Sequence, residues 1–226
     1  AKYFAKNNIK VLSEIGAGVI GRACVAALMA VLKQVEEIRI YDINQEAAPK
    51  YCQELSETYG VRAVAVESVE AAVRGADVIN VATAGAVSPE IHDEWLKEGV
   101  LLTLPASAAL SLDTMKSSRI VVDNWKMYEA YAQELRGLPG GYAANLSGIC
   151  GYLMDLVESG EIPQKDIVNL GDVIAGKQEG RRNDRERVIF IMDGMPIEDL
   201  AWGYTVYENA KKMGLGTKLN LWEKTR

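Results

Sequence analysis

The sequence is poor in the residues that build metal sites and disulfide frameworks: one histidine, His92, and three cysteines, Cys24, Cys52 and Cys150, stand in 226 residues. The cysteines are odd in number, scattered and free of Cys-x-x-Cys spacing, so no disulfide framework and no metal site is expected, and the thiols read as reduced and structural. A lone histidine without a second histidine or a cysteine beside it offers no candidate for histidine-based acid–base chemistry, and His92 in SPEIHDEW reads as a surface residue. Long apolar runs are missing too. None approaches the roughly 18 residues that span a bilayer, and AKYFAKNNIKV lacks the apolar core of a secretory signal, so no membrane partner and a cytoplasmic location are expected. Nor is there an excess of positive charge. The net charge is −6 and the bases are spread rather than striped, which argues against a nucleic-acid partner. The one basic stretch, GKQEGRRNDRER (176–187), interleaves its bases with acids and reads as a solvated loop.

What is present is an alternation of strand and helix signals. IKVLSEI (9–15) predicts a strand, CVAALMAVLKQV (24–35) a helix buried over most of its face, IRIYD (38–42) a strand, QEAAPKYCQELSETYG (45–60) a helix closing on Gly60 and VRAVAV (61–66) a strand. SVEAAVRGA (68–76) predicts a helix capped by Ser68, DVINVAT (77–83) a strand, EIHDEWLKEG (90–99) a helix, VLLTL (100–104) a strand, SLDTMKSS (111–118) a short helix and RIVVD (119–123) a strand. This pattern predicts the α/β class: a doubly wound parallel sheet covered on both faces. The second half is less regular. Helices are expected at 125–135, 146–160 and 167–176, a break suited to a mobile loop at GLPGGY (137–142), and a last strand in RVIFIMDG (187–194). PIEDLAWGYTVYENAKKMG (196–214) has a proline at its first helical position, acids in its first turn and lysines in its last, which signals a C-terminal helical extension. Residues 1–195 are thus expected to form a Rossmann-type domain, and 196–226 a helix and tail.

EIGAGVIGRA (14–23) carries glycines at 16, 18 and 21. Alone, such a triplet also fits plain helix packing. Here it follows a predicted strand, opens a predicted helix and precedes a second strand ending in Asp42, the full context of the dinucleotide fingerprint. Gly16 suits the tight turn, Gly18 the approach of backbone to a pyrophosphate and Gly21 the packing of helix on strand, while the helix N-terminus offers N–H groups to the anion. Asp42 is expected to accept from ribose hydroxyls and to repel a 2′-phosphate, which favours NAD over NADP. Thr83 ends a strand on the carboxyl edge of the sheet, where such folds bind ligands; a β-branched filler is the plainer alternative. Glu14 is discordant, a carboxylate in a strand that should be buried. Met192 to Pro196 and the Trp202, Tyr204 and Tyr207 cluster read either as the lining of an apolar substrate pocket or as core or interface packing.

Taken in order, GAGVIGRA, IRIYD, SVEAAVRGADVINVAT, DEWLKEGVLL, RIVVDNW, LGDVIAGKQEGRRND and DGMPIEDLAWGYTVYENAKKMGLGTKL resemble the ornithine cyclodeaminase/μ-crystallin family over nearly the whole chain, most weakly at 134–160. The resemblance implies NAD(P)-dependent chemistry at the Cα–N bond of an amino acid or its imine. It makes Val19 and Ile20 pyrophosphate-loop contacts, Asp42 the ribose acceptor, Thr83 a neighbour of the cofactor, and Leu104, Pro105, Ala106 and Ser107 the wall beside the nicotinamide. It also implies a homodimer for the full-length protein.

Three departures stand against that pattern. Cyclodeaminases have a Gly-Gly-Asp type sequence in the wall where this chain has Pro105-Ala106-Ser107. This argues against cyclising deamination but leaves Ser107 open to a redox role. Asp193 stands where relatives carry a small or apolar residue, and reads as a carboxylate near the substrate nitrogen or as a plain turn former before Gly194. The chain opens a few residues before its first strand, so the family's N-terminal substrate-binding segment is expected to be missing, as in a fragment. The expected function is the cofactor-binding part of an NAD-dependent amino-acid dehydrogenase or imine reductase with a small-molecule substrate. The alternatives are a non-catalytic NAD- or small-ligand-binding subunit and, third, a cyclodeaminase-type lyase.

Overall fold

Eight short strands, rich in Val, Ile and Leu, pair side by side and run parallel throughout: β1 (Val11–Ile15), β2 (Glu37–Tyr41), β3 (Arg62–Ala65), β4 (Val78–Val81), β5 (Leu101–Leu104), β6 (Arg119–Val122), β7 (Val168–Asn169) and β8 (Val188–Ile191). This computed structural model describes residues 1–85, 87–146 and 148–219. The strand order is β3-β2-β1-β4-β5-β8-β6-β7, so β8, the last in sequence, sits inside the sheet between β5 and β6. Every residue of β4 and of β5 is buried, as expected of parallel strands covered on both faces. Because side chains alternate across a strand, the sheet carries two cores. Ile15, Ile79, Leu102 and Ile189 face one, and Leu12, Ile38, Leu101 and Val188 face the other.

The crossovers are helices with readable ends. α1 (Val19–Val31) starts on Gly18, α2 (Ala47–Tyr59) stops on Gly60 in the left-handed region (φ 65°), and α3 (Val69–Val73) is capped by Ser68 Oγ, which accepts from the Ala71 N–H at 3.1 Å. α4 (Leu112–Ser117) is capped in the same way by Ser111, and α5 (Trp125–Leu135) by Asn124. After the glycine-proline break come α6 (Gly141–Asn145), whose first N–H groups at Tyr142 and Ala143 donate to the Asp155 carboxylate at 2.7 and 2.9 Å, then α7 (Gly148–Glu158) and α8 (Leu170–Ile174). The contacts divide the chain into two compact units, Ala1–Asp193 and Gly194–Arg226. The second contains α9 (Pro196–Lys212), with proline in its first turn, Glu198 and Asp199 behind it and Lys211 and Lys212 at its end. Residues 220–226 of the expected tail, and Ser147 of the expected 146–160 helix, lie outside the described residues.

Three expectations need correction. The 90–99 segment holds only a 3₁₀ turn, Asp93–Trp95, because its start is drawn into a parallel bridge, with the Ile91 N–H donating to Ala109 O at 3.0 Å, and Arg74 Nη1 donates to Glu94 O at 3.1 Å. Residues 167–176 split into β7 and α8, since Val168 and Asn169 enter register with Val121 and Val122 of β6. α1 is not buried over most of its face. It begins five residues earlier than 24, ends at Val31 and buries Gly21, Val25 and Leu28, with small alanines turned outward. The 176–187 stretch is the exposed loop expected, and it is also pinned: Arg181 donates to the carbonyls of Phe4, Gly99 and Glu186, and Arg119 to those of Glu179 and Gly180.

At the amino edge of the sheet one carboxylate ties three elements together. Asp77, with 3% of its side chain exposed, takes Lys6 Nζ at 2.8 Å and Lys97 Nζ at 2.6 Å on Oδ1. Its Oδ2 accepts the N–H groups of Lys10 and Val11 at 2.7 and 2.9 Å. Burial by itself raises the carboxyl, but two ammonium groups and two N–H donors outweigh it and hold it at about 2. A depressed carboxyl stabilises the fold above its unfolded value, near 3.9, and loses that contribution as pH falls towards 2. Asp77→Asn is therefore expected to cost about 2–3 kcal/mol at pH 7 in urea denaturation, a difference that shrinks as the pH is taken from 4 towards 2.

Candidate functional site

The β1 to α1 turn is built on backbone contacts no side chain could enter. Gly16 has φ 114°, and a Cβ there would stand 2.5 Å from Ala82 O in the exit of β4. A Cβ at Gly21 would stand 2.0 Å from Gly16 O, whereas one at Gly18 meets nothing within 4 Å. Gly16 and Gly21 thus close the turn on the protein side, while Gly18 leaves its outer face clear for a ligand's backbone-level approach. The first N–H groups of α1 have no acceptor within the helix and open on that same face. Val19 and Ile20 are 85% and 62% exposed there, and Ile43, beside Asp42, is 84% exposed. Asp42 closes the far end of the turn. Its Oδ2 accepts the Ala17 N–H and its Oδ1 the Asn44 N–H, both at 2.7 Å, so the carboxylate is oriented before any ligand arrives.

Behind the turn lies the discordant Glu14. It is fully buried; Oε2 accepts from Asn80 Nδ2 at 2.7 Å, and Asn80 Oδ1 accepts from Thr103 Oγ1 at 2.6 Å, a polar chain that crosses β1, β4 and β5 inside the sheet. Its Oε1 has no hydrogen-bond partner among the described residues and would lie 2.6 Å from a Cβ on Gly21. Burial pushes the Glu14 carboxyl well above its ordinary value, with the Asn80 bond opposing, and this carboxyl in turn raises the neighbouring Cys24 thiol after burial has done so. The sequence position of Asn80, in the middle of DVINVAT, was the only available sign of a partner.

Farther along the carboxyl edge, the exits of β4, β5 and β8 and the start of α7 line a cleft of about 380 Å3. Thr83, Leu104, Pro105, Ala106, Ser107, Cys150, Met192 and Asp193 are in its wall. Thr83 lies two residues past the end of β4 and is half-buried. Ser107 Oγ accepts the Ile149 N–H at 3.1 Å, and a Cβ on Gly148 would collide with it, so Ser107 serves the first turn of α7 as well as facing the cleft. Asp193 is exposed and is the one carboxylate among the described lining residues. Its N–H donates to Asp123 Oδ2 at 3.0 Å, tying the exit of β8 to that of β6.

A profile of the ornithine cyclodeaminase/mu-crystallin family matches residues 1–214. The chain belongs to this family. Alanine dehydrogenase of Archaeoglobus fulgidus is 31% identical over 225 residues, 97% of this chain and 62% of that protein. The structure of Thermococcus litoralis Δ1-pyrroline-2-carboxylate reductase in complex with NADH and L-proline superposes with a TM-score of 0.77 at 29% identity, covering 96% of this chain and 63% of that one. An archaeal alanine dehydrogenase dimer with bound NAD gives 0.76 at 28% identity, covering 98% and 64%. The chain therefore spans a little over three fifths of the length of these family members.

Of the residues singled out in the sequence, Gly16, Gly18, Val19, Ile20, Gly21 and Asp42 meet at one turn, and Thr83, Leu104, Pro105, Ser107 and Asp193 at one cleft on the same edge. The Trp202, Tyr204 and Tyr207 cluster is exposed on α9, in the second unit. The sequence did not pair Tyr128 with Cys150, yet Tyr128 Oη lies 3.6 Å from Cys150 Sγ, and Cys150 shares the cleft wall with Asp193. Burial and the acidic neighbours Asp193 and Asp123, opposed by the Tyr128 hydrogen bond, push the Cys150 thiol up to about 12, so it stays protonated.

Glu14 yields a stability test. An acid whose folded value is raised keeps its proton while the unfolded chain releases it above about 4.3, so this contribution falls as pH rises from there towards the folded value. Glu14→Gln should remove that fall. Its stability relative to the parent is expected to improve by up to about 1.4 kcal/mol per pH unit as the pH rises above about 5 while it stays below the folded value, read in urea denaturation, and a flat difference there would refute a raised Glu14 carboxyl.

Proposed function

We propose that this chain is the cofactor-binding part of an NAD-dependent oxidoreductase acting on the C–N bond of an amino acid or its imine. The observation that carries the reading is the pairing, on one sheet edge, of a glycine turn left open at Gly18 and bracketed by the Asp42 carboxylate with a cleft holding the Asp193 carboxylate. The residues fit the cofactor. Gly18 and the first N–H groups of α1 would hold the pyrophosphate, Asp42 the adenosine ribose, and Thr83 with the Leu104–Ser107 segment would flank the nicotinamide. When bound, the nicotinamide supplies a two-electron hydride acceptor or donor.

The rest is this chain's own work. In the oxidative direction Asp193 takes the proton that the substrate nitrogen loses as its C=N bond forms, while the Cα hydrogen leaves with its electron pair to NAD+; in reverse the carboxylic acid returns the proton to nitrogen. Ser107 holds the start of α7 and with it one wall of the cleft. We further propose that residues 1–195 act as the cofactor domain, that 196–226 serve the substrate side, and that the working assembly is a homodimer, in keeping with the dimeric archaeal alanine dehydrogenase.

A second reading, a subunit that binds NAD or a small ligand without turnover, is favoured by the engagement of Ser107 in capping, which leaves Asp193 as the one carboxylate in the cleft wall among the described residues. Calorimetry with NADH and NADPH, followed by NADH-band absorbance with L-alanine, L-proline and L-ornithine plus NAD+, separates the two. NADH is expected to bind and NADPH to be rejected. In Asp42→Asn, NADH affinity should fall by about 2 kcal/mol, roughly thirtyfold, while the penalty against NADPH shrinks. Asp193→Asn should lower kcat/KM on the order of a hundredfold with NADH affinity unchanged. NADH binding with no turnover in any arm sinks the enzymatic reading and leaves the second.

A further inference from the structure

Glu14 is a fully buried acid to which the chemistry above gives no role. It stands in β1 two residues before Gly16 and, by strand alternation, on the same face as Leu12, the face that packs under Val25 and Leu28 of α1. Its Oε1 lies 2.6 Å from the place a Cβ would take on Gly21. The carboxyl thus rests against the first turn of α1, whose unpaired N–H groups open on the ligand face.

The surroundings of this carboxyl hold no cation for it. Asn80 Nδ2 donates to Oε2 at 2.7 Å, and Oε1 has no partner among the described residues. Arg22, the basic side chain on this stretch of α1, pairs with Glu54 of α2 and lies over the Tyr51 ring at 4.2 Å. The titratable groups facing Glu14 are Cys24 from α1 and Tyr51 from α2, both raised by burial first and by the Glu14 carboxyl after it. From β4 and β5 come Asn80 and Thr103, which do not titrate, and Asp42, at the exit of β2, holds the Ala17 N–H of the same turn. A carboxyl buried with one neutral donor and no cation keeps its proton, because ionisation would leave an uncompensated charge in a dry core.

Resting on the cofactor assignment above, we infer that Glu14 is a cofactor-affinity residue: the pyrophosphate of the dinucleotide is accepted over a neutral Glu14 and repelled by an ionised one, so binding is linked to a proton. Two effects act in the same direction. An ionised carboxylate against the first turn takes up the positive end of α1 from below, the end that would hold the pyrophosphate. It also repels the phosphate charges through a region from which water is excluded, where screening is weak. The bound anion in turn favours the protonated acid. Once the pH is high enough to ionise Glu14 in the free protein, each dinucleotide that binds takes up to one proton from solution, and affinity falls as pH rises.

The test is calorimetry of NADH on the whole chain from about pH 6 to 9, with the proton count taken at about pH 8 from the heats in HEPES and in Tris. The NADH dissociation constant is expected to rise about tenfold across that range, and the heat at the higher pH to depend on the ionisation enthalpy of the buffer. Glu14→Gln keeps an acceptor for Asn80 and cannot ionise. Its dissociation constant should stay within about twofold over the same range and its heat should not depend on the buffer, whereas Cys24→Ala should behave as the parent does. A flat dissociation constant in the parent, a pH dependence that survives Glu14→Gln, or one that is lost in Cys24→Ala overturns this inference and leaves the cofactor assignment standing. If Glu14→Gln does not fold, the proton count in the parent and in Cys24→Ala decides, and no proton uptake overturns the inference. No NADH binding at any pH overturns it together with the cofactor assignment.

Discussion

The approach of Gly16 to the Ala82 carbonyl is the contact on which the rest of this edge depends. Two neighbouring parallel strands, β1 and β4, leave the sheet side by side, and their chains must turn in different directions within two residues. At the Gly16 φ of 114° the chain can do so only without a side chain, because a Cβ would reach 2.5 Å from Ala82 O. That contact sets where α1 begins, and therefore where its unpaired N–H groups point. It also fixes the floor on which Asp42 rests, since the Ala17 N–H that Asp42 accepts belongs to the same turn. The glycines are thus needed by the protein's own backbone, and the open side at Gly18 is what remains for a ligand.

The second constraint is the place of β8. A chain-order reading puts the last strand at the rim of the sheet, but β8 enters between β5 and β6, with Leu104 opposite Ile191 and Val122 opposite Ile191 on the other side. Three exits then converge: Leu104 to Ser107 from β5, Met192 and Asp193 from β8, and Asp123 from β6. The Met192 N–H donates to Leu104 O at 3.2 Å and the Asp193 N–H to Asp123 Oδ2 at 3.0 Å, so the converging chains are stitched to one another. A residue 86 positions after Ser107 becomes its cleft mate through sheet order alone.

This explains which parts of the molecule were legible in the sequence. The first βαβ unit was legible because its signals are local: β-rich IKVLSEI, three glycines at fixed offsets and Asp42 at a strand end each act within a few residues of where they are written. The Ser68 cap and the Gly60 stop are of the same kind. The 90–99 helix failed because Ala109 and Arg74, distant in sequence, hold its backbone, Ala109 by a bridge at its start and Arg74 at Glu94 O. β7 failed because two residues become a strand only through β6. Glu14 read as an anomaly since its partners, Asn80 and Thr103, come from two other strands. The same holds at the cleft. Asp193 was visible as a carboxylate before a glycine, whereas its place beside Ser107 appears only once β8 enters the sheet next to β5.

The geometry also bears on the change in the cleft wall. The cyclodeaminase resemblance implies an aspartate after β5 where Ser107 stands, and the Ser107 hydroxyl has a structural partner in the Ile149 N–H. A carboxylate at that position would meet the first turn of α7 directly and would be drawn to its N–H groups as a cap. Asp193, one strand over, is exposed and shares the cleft wall with Cys150. Neighbouring parallel strands lie only about 4.8 Å apart, so moving the acid from the exit of β5 to that of β8 shifts it by roughly the length of a side chain while freeing it from the helix end. The acid stays within the same cleft wall and is exposed there, so its charge is available to a ligand.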